Sequence, residues 1–472
     1  MHESSEQRYL ANRIYDEIHI GDSSSLTRTL MPEDVKLFAI LTGDFNPSIV
    51  DPKFSESGMF REVIAHGMWS GSLISTVLGT QFPGPGTILV DQSLHFSRPV
   101  SIGDTITITV TAKQKFDHNQ HVIFDCVCTN QEGLQVVRGA AEVLAPTEKV
   151  AHLQVMHMPQ VRIDDKYERY TQLLSRVKGL EPIPTAVAHP CDCESLRGPV
   201  IAFQAGIIEP ILVGPENKIR AVAEEFGIDL NGIRIVNAAH SHDSAAIAVS
   251  LVRTGDAEAL MKGSLHTDEL MGEVVSRANG LRTSRRISHV FVMDVPTYHR
   301  PLLITDAAIN IAPTLEEKVD IVQNAIDLAH IIGIPEPKVA ILSAVETVNP
   351  KIQSTLDAAA LCKMADRGQI KGGILDGPLA FDNAVSLVAA KTKGIKSAVA
   401  GHAEILVVPD LESGNMVAKQ LEYLANALTA GIVLGTRVPI VLTSRADSAE
   451  TRTASCVIAA LVAHANRNKG NA

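Results

Sequence analysis

From residue 185 onward the chain repeats one unit, a short apolar run followed by a longer amphipathic stretch, and that rhythm is met by a mainly parallel sheet covered with helices. Strand-like runs fall at 185–188, 209–214, 234–236, 259–261 and 289–293, with helical periodicity over 218–226, 244–253 and 268–276 between them. A second series has strands at 302–304, 338–342 and 405–408 and helices at 315–332, 356–366 and 416–429. Two doubly wound α/β lobes with a cleft between them account for this length. In such sheets ligands collect where a strand end meets a helix start, because unpaired backbone N–H groups and the positive end of the helix dipole point there.

Several of these junctions carry groups that suit an anion. Residues 438–443 read as a buried parallel strand, with a helix opening at Ser444. Ser444 offers a hydroxyl, and Arg445 a planar fork that grips phosphate or carboxylate in two places. The competing reading is a capping box, Ser444 with Asp447, followed by a solvated Arg445. Lys262 ends the strand at 259–261, and Ser264-Leu265-His266-Thr267 opens the next helix in the same way. Arg282, Arg285 and Arg286 form a basic knot that suits the diphosphate or ribose phosphate of a nucleotide-like ligand, although a solvated charged loop gives the same pattern.

Metal chemistry is not expected. His240-Ser241-His242-Asp243 reads as a helix cap and His189-Pro190-Cys191-Asp192-Cys193 as structural thiols, since neither has a partner pair at zinc-site spacing. Cys126 and Cys128 fall in an apparent strand and are expected to point to opposite faces. No Walker loop, dinucleotide fingerprint or esterase nucleophile elbow is present.

The first 150 residues have another pattern. Helical periodicity over 34–41 stops at the turn cluster Gly43-Asp44-Phe45-Asn46-Pro47, and 67–78 reads as a buried helix. Strands alternate at 87–96, 105–111, 121–129 and 135–144, so the simplest architecture is one helix wrapped by a curved antiparallel sheet, an α+β domain. Between 145 and 184 the apolar pattern weakens, with an amphipathic helix at 164–178, and this piece reads as a connector.

The words Lys262-Gly263-Ser264-Leu265-His266-Thr267, the run 280–290, Pro409-Asp410-Leu411-Glu412-Ser413-Gly414-Asn415-Met416 and Thr443-Ser444-Arg445-Ala446-Asp447-Ser448 together resemble the phosphate acetyl/butyryl transferase family over about residues 181–470. The resemblance implies interconversion of acyl-CoA plus phosphate with acyl phosphate plus CoA. It implies no metal and no covalent enzyme intermediate. Ser444 and Arg445 would then clamp the phosphate, with Ser264 and Thr267 opposite and Lys262, His266, Arg282, Arg285 and Arg286 along the substrate. The acetyl branch places a carboxylate thiol base seven residues after the Ser, where this chain has Thr451. Glu450 beside it, or Asp447, is left as the candidate base, and the local word sits closer to the butyryl branch.

The front of the chain resembles the MaoC-like hot-dog hydratases, which add water to trans-2-enoyl-CoA. The matching words are Gly43-Asp44-Phe45-Asn46-Pro47, Ile64-Ala65-His66-Gly67-Met68 and Phe96-Ser97-Arg98-Pro99-Val100 ahead of Gly103-Asp104. On that resemblance Asp44 is the acid of the acid/base pair, Asn46 lies in the substrate-binding motif and Gly67 supplies the backbone oxyanion donor. The His of the motif is replaced by Ile49, which moves no proton. Two readings follow: a weak or altered hydratase leaning on Asp44, with nearby His66 a lesser candidate for the base, or an acyl-CoA binding and dimerisation module.

The expected organisation is a lead at 1–20, a hot-dog domain at 21–146, a connector at 147–180 and a two-lobed transferase domain at 181–472. A formal net charge of −11 argues against a nucleic-acid partner. No apolar segment has the length of a membrane span, and the start of the chain is acidic, so a cytoplasmic protein is expected. CoA thioester enters as substrate, not as a bound cofactor, and the resemblances imply a homo-oligomer. Three functions stay open: a transferase with a thioester-binding front domain, a bifunctional hydratase and transferase, and an acyl-CoA sensor without turnover.

Overall fold

A computed structural model describes residues 7–50, 63–155, 168–444 and 447–470. The chain divides into two compact units, residues 1–164 and 165–472.

The first unit contains, in chain order, β1 (Gln7–Ala11), β2 (Ser23–Thr29), α1 (Pro32–Thr42), α2 (Pro47–Val50), α3 (Gly67–Thr80), β3 (Ile88–Phe96), β4 (Thr105–Phe116), β5 (His121–Thr129), β6 (Gln135–Leu144) and β7 (Ala151–Val155). Five strands form an antiparallel sheet in the order β2-β4-β5-β6-β3. Burial alternates residue by residue along β4 and β5, so one face of the sheet is apolar and must be covered. Helix α3 covers it: Trp69, Leu73, Ile74 and Val77 pack against Ile108, Val110, Phe124 and Val143. Cys126 and Cys128 both lie on that buried face, contrary to expectation, because residues two apart in a strand share a side. Burial pushes both thiols up to about 12.

Segments read as lead and connector pair with each other, β1 antiparallel to β7. Buried Asn12 ties them down, donating to the carbonyls of Pro85 and Glu148 at 3.0 and 2.8 Å and accepting the Val150 N–H at 2.8 Å. A short polar strand carries little apolar periodicity, which is why neither piece announces itself in the sequence.

The second unit contains α4 (Glu168–Val177), β8 (Ile183–Ala188), α5 (Cys193–Gln204), β9 (Ile208–Gly214), α6 (Glu216–Phe226), β10 (Arg234–Asn237), α7 (Ser241–Thr254), β11 (Ala259–Lys262), α8 (Thr267–Val274), β12 (Ser288–Asp294), β13 (Leu302–Thr305), α9 (Leu315–Ile331), β14 (Lys338–Leu342), α10 (Gln353–Asp366), β15 (Ile374–Leu379), α11 (Phe381–Val385), α12 (Leu387–Thr392), β16 (Ile405–Val407), α13 (Leu411–Leu424), β17 (Leu428–Leu434), β18 (Ile440–Val441) and α14 (Ala449–Gly470). Its strands form one sheet in the order β10-β9-β8-β11-β18-β17-β12-β13-β16-β14-β15. One side of the sheet is a parallel set, β10 through β18; the other is a second parallel set, β13, β16, β14 and β15. Strands β17 and β12, antiparallel to their neighbours, join the two sets. The run 289–293, expected as a strand of a mainly parallel sheet, is antiparallel on both sides.

After β8 the chain steps outward to β9 and β10, then returns to β11 on the opposite side of β8. That reversal opens a crevice at the carboxyl ends of β8 and β11, because the helices that follow them go to different faces. Leu196 of α5 packs with α14 in one buried cluster, while Leu270 of α8 packs with α7 in another. The strand expected at 438–443 is shorter, only Ile440–Val441, and the helix expected at Ser444 begins at Ala449.

Candidate functional site

Strands β8, β11 and β18 are adjacent and parallel, so the loops that leave their carboxyl ends share one edge of the sheet. These loops are 189–192, 263–266 and 442–448. Ser264 fastens the first two together. Its N–H and hydroxyl both donate to the His189 carbonyl, at 2.9 and 2.8 Å, and its oxygen accepts the Cys191 N–H at 3.2 Å. Gly263 permits this approach, since a Cβ there would stand 2.4 Å from the Ala188 carbonyl oxygen. Buried Lys262 ends β11 with its Nζ 3.2 Å from the Gly263 carbonyl, His266 caps α8 and Thr267 opens it.

His189 was not singled out as a site residue by sequence. It holds a left-handed backbone, φ 57°, uncommon for a side chain this large. The Ser244 hydroxyl donates to the His240 carbonyl at 2.8 Å, so Ser244 Oγ accepts from His189 Nδ1 at 3.1 Å. That fixes the proton on Nδ1 and leaves Nε2 with its lone pair. Burial, helped by the charge of Lys218, holds this imidazole below the usual histidine range, so it is neutral near pH 7. His240 caps α7, accepting the Asp243 N–H at 3.3 Å, as its sequence suggested.

The third loop is organised by a buried guanidinium. Arg452, on the first turn of α14, is fully buried; it donates to the Thr443 hydroxyl and to the Ser444 carbonyl, both at 2.9 Å. Gly198 of α5 makes room for it, since a Cβ there would lie 2.7 Å from Arg452 Cβ. Asp447 accepts the Ser444 N–H at 2.7 Å, the arm of the capping box that sequence foresaw, but the helix cap is Ser448, whose oxygen accepts the Thr451 N–H at 3.3 Å. Burial raises the Asp447 carboxyl, against the Ser444 N–H and the charge of Lys419. Lys419 Nζ stands 3.8 Å from its Oδ1, which has no hydrogen bond among the described residues. Glu450 lies exposed in the first turn of α14, where a carboxylate suits the helix dipole. Arg445 lies outside the described residues. Ser444 itself is exposed.

Buried His289 in β12 supports this loop from below: its ring bonds the Leu442 backbone, two residues ahead of Ser444. Burial lowers it to about 4. Arg452, Lys419 and His289 went unread as site residues, although a lone arginine entering the small-residue run 453–463 was a visible signal.

The basic knot is not brought to this edge. Arg282 bridges Thr436 in the turn after β17, and β17 runs antiparallel to β18, so Thr436 and Ser444 lie at opposite ends of that pair. Arg285 pairs with Asp327 at 2.7 Å and Arg286 with Glu317 at 2.8 Å, both acids of α9. Their charges are met by protein carboxylates.

In the first unit, Asp44 and Asn46 lie exposed after α1, and the Asp44 carboxylate accepts the Asn46 N–H at 3.3 Å. His66 is buried at the start of α3, with Nε2 3.0 Å from the Asp44 carbonyl and 3.7 Å from its Oδ2. A carbonyl only accepts, so Nε2 carries the proton. A cavity of about 410 Å³ is lined by His66, Gly67, Ser70, Phe96, Arg98 and Val137 among others. Ile49 is buried in the apolar core.

Among the described residues no cluster of histidine, cysteine or carboxylate side chains could hold a metal ion, and no helix is long and apolar enough to cross a membrane. Residues 240–460 match the family described as phosphate acetyl/butaryl transferase, and residues 19–129 the MaoC like domain. The chain is 64% identical over 299 residues to the phosphate acetyltransferase of Rhizobium meliloti, covering 63% of this chain and 95% of that one. It is 46% identical to the phosphate butyryltransferase of Clostridium acetobutylicum, over 62% of this chain and 98% of that protein. Among solved structures it resembles a branched-chain phosphotransacylase from Enterococcus faecalis V583 at 32% identity and TM-score 0.53, covering 60% of this chain and 99% of the other.

Proposed function

This chain belongs to the phosphate acetyl/butyryl transferase family, and on that premise we propose that its second unit works at the edge formed by Ser264, His189 and the 442–448 loop. The reaction is interconversion of acyl-CoA plus phosphate with acyl phosphate plus CoA. A phosphate oxygen attacks the thioester carbonyl, a C–O bond forms, the C–S bond breaks, and CoA leaves as thiolate to be protonated. In reverse a base removes the thiol proton and the thiolate attacks the acyl phosphate. Arg445 and the Ser444 hydroxyl grip the phosphate, which neutralises charge and aligns the attack. The observation that carries this reading is the meeting of the β8, β11 and β18 loops at the point where strand order reverses.

Ser264 acts by positioning the His189 loop, since its hydroxyl is already engaged. Thr267, His266 and Lys262 line the approach. Glu450 in the first turn of α14 is the thiol base, standing beside Thr451 where the acetyl branch has its carboxylate. Arg282, Arg285 and Arg286 hold α9 and the β17–β18 turn, outside the reaction. CoA thioester and phosphate are substrates, no cofactor is retained, and the enzyme acts in the cytoplasm as a homo-oligomer.

The MaoC-like unit binds acyl-CoA in the cavity beside His66 and Gly67 without hydrating it rapidly. Loss of a general base typically costs roughly 10²–10⁴-fold, and Ile49 stands where that base belongs. The decisive assay is CoA release from butyryl-CoA with and without phosphate. Phosphate-dependent release is expected from the wild type and not from Ser444→Ala with Arg445→Ala combined; release indifferent to phosphate contradicts the proposal.

A further inference from the structure

The large unit holds a small apolar chamber one strand away from Ser444. Its floor is β12 and β17, where Val292 stands opposite Ala430 and Asp294 opposite Leu428. Residues directly opposite in an antiparallel pair share a face. Val292 and Ala430 belong to the same buried cluster as Ala454 of α14, and Leu173 of α4 packs at its fringe. Leu173 and Ala454 thus flank the chamber from the helix side, with Pro301 at its rim; its volume is about 40 Å³. A wider chamber of about 420 Å³ shares Leu173, Val292 and Pro301 with it and adds the polar groups of Gln172, Arg176 and His299.

Two bonds tie the chamber's elements to the reaction edge. The Leu442 N–H donates to the Gly431 carbonyl at 3.2 Å, which sets the residues before Ser444 alongside Ala430. Arg452, whose guanidinium holds the Ser444 carbonyl, precedes Ala454 by two residues on the same helix. A phosphate gripped at Ser444 therefore meets the acyl carbonyl beside a loop that is one strand away from this chamber.

We infer that the chamber receives the hydrocarbon tail of the acyl group and sets the longest chain the transferase accepts, with Leu173 as roof and Ala430 as floor. This deepens, and rests on, the acyltransferase reading. A water-sized group needs roughly 10–15 Å³ of such space, so the chamber takes about three of them, the carbons beyond the carbonyl in a butyryl group. Its walls offer carbon surface.

The test uses the full chain and measures kcat/KM for phosphate-dependent CoA release from acetyl-, propionyl-, butyryl- and hexanoyl-CoA. Each methylene moved into the chamber raises kcat/KM by up to about fourfold. The wild type should rise from acetyl to butyryl and fall at hexanoyl. Ala430→Val should cut butyryl about tenfold while leaving acetyl nearly intact. Leu173→Ala, at a partly exposed position that folding tolerates, should raise hexanoyl turnover. Variants that scale all four thioesters by one factor, or a wild-type profile that keeps rising to hexanoyl, overturn the chamber assignment alone. No phosphate-dependent release from any thioester overturns the transferase reading and the chamber with it.

Discussion

Arg452 shows how a single residue can govern a loop without facing the substrate. A fully buried guanidinium is held only where hydrogen bonds replace its hydration, and here Thr443 and Ser444 supply them while Asp192 and Asp447 supply the field. Gly198→Ala places a methyl 2.7 Å from Arg452 Cβ, backbone-fixed on one side and helix-fixed on the other. Overpacking of this kind costs roughly 1–3 kcal/mol, so urea unfolding of the variant should show a lowered midpoint; an unchanged midpoint means that α5 and α14 separate freely. His289 makes a second residue-scale prediction. Its folded pKa, about 4, lies below the unfolded value near 6.5, so the unfolded chain binds the extra proton and stability is lost as pH falls through that window. Between pH 7 and 5 this one group removes on the order of 2 kcal/mol. His289→Gln should flatten the pH dependence of the urea midpoint over that range, and a slope equal to the wild type's contradicts the assignment. Neither effect was legible in sequence: Arg452 bonds residues eight and nine positions before it, but its room at Gly198 and the field of Asp192 come from more than 250 positions away, and His289 acts on Leu442 from another strand.

At the scale of elements, the loops that leave parallel strands matter more than the helices they lead into. Ser264 was readable as a residue at a strand end, and so was its place beside Ser444, because both follow short apolar runs. What its hydroxyl touches was not readable, since the carbonyl it holds belongs to His189, 75 positions earlier. Ser264→Ala should lower stability by roughly 0.5–1.5 kcal/mol by removing the hydroxyl's bond to the His189 carbonyl, while the Cys191 N–H keeps that carbonyl as acceptor at 3.0 Å, with little change in KM for phosphate. A large rise in that KM with stability intact would mean instead that Ser264 grips phosphate. The helix expected at Ser444 begins five residues later because Ser448 supplies the cap, and two serines with a carboxylate between them leave both choices open to a sequence reading. The basic run 282–286 illustrates the opposite limit: three arginines suggested an anion, whereas α9 presents Glu317 and Asp327 to two of them.

At the scale of the whole chain, a MaoC-like unit precedes a phosphate acetyl/butyryl transferase unit. The α+β front and the α/β remainder were both visible in the change of period near residue 150, because alternation and helical repeat are properties of the core faces themselves. The reversal of β17 and β12 was hidden, since an apolar strand buried on both sides looks alike in either direction. For the front unit, Ile49 in the apolar core predicts that crotonyl-CoA is hydrated weakly or not at all by the intact protein, followed as loss of the enoyl absorbance; vigorous hydration would assign the base to His66. The central claim is that Arg445 holds phosphate for transfer, and steady-state kinetics of CoA release against phosphate concentration measure it most directly. Arg445→Ala is expected to lose at least about a hundredfold in kcat/KM for phosphate while its unfolding midpoint stays at the wild-type value. Wild-type kcat/KM in a stably folded Arg445→Ala protein would contradict the account.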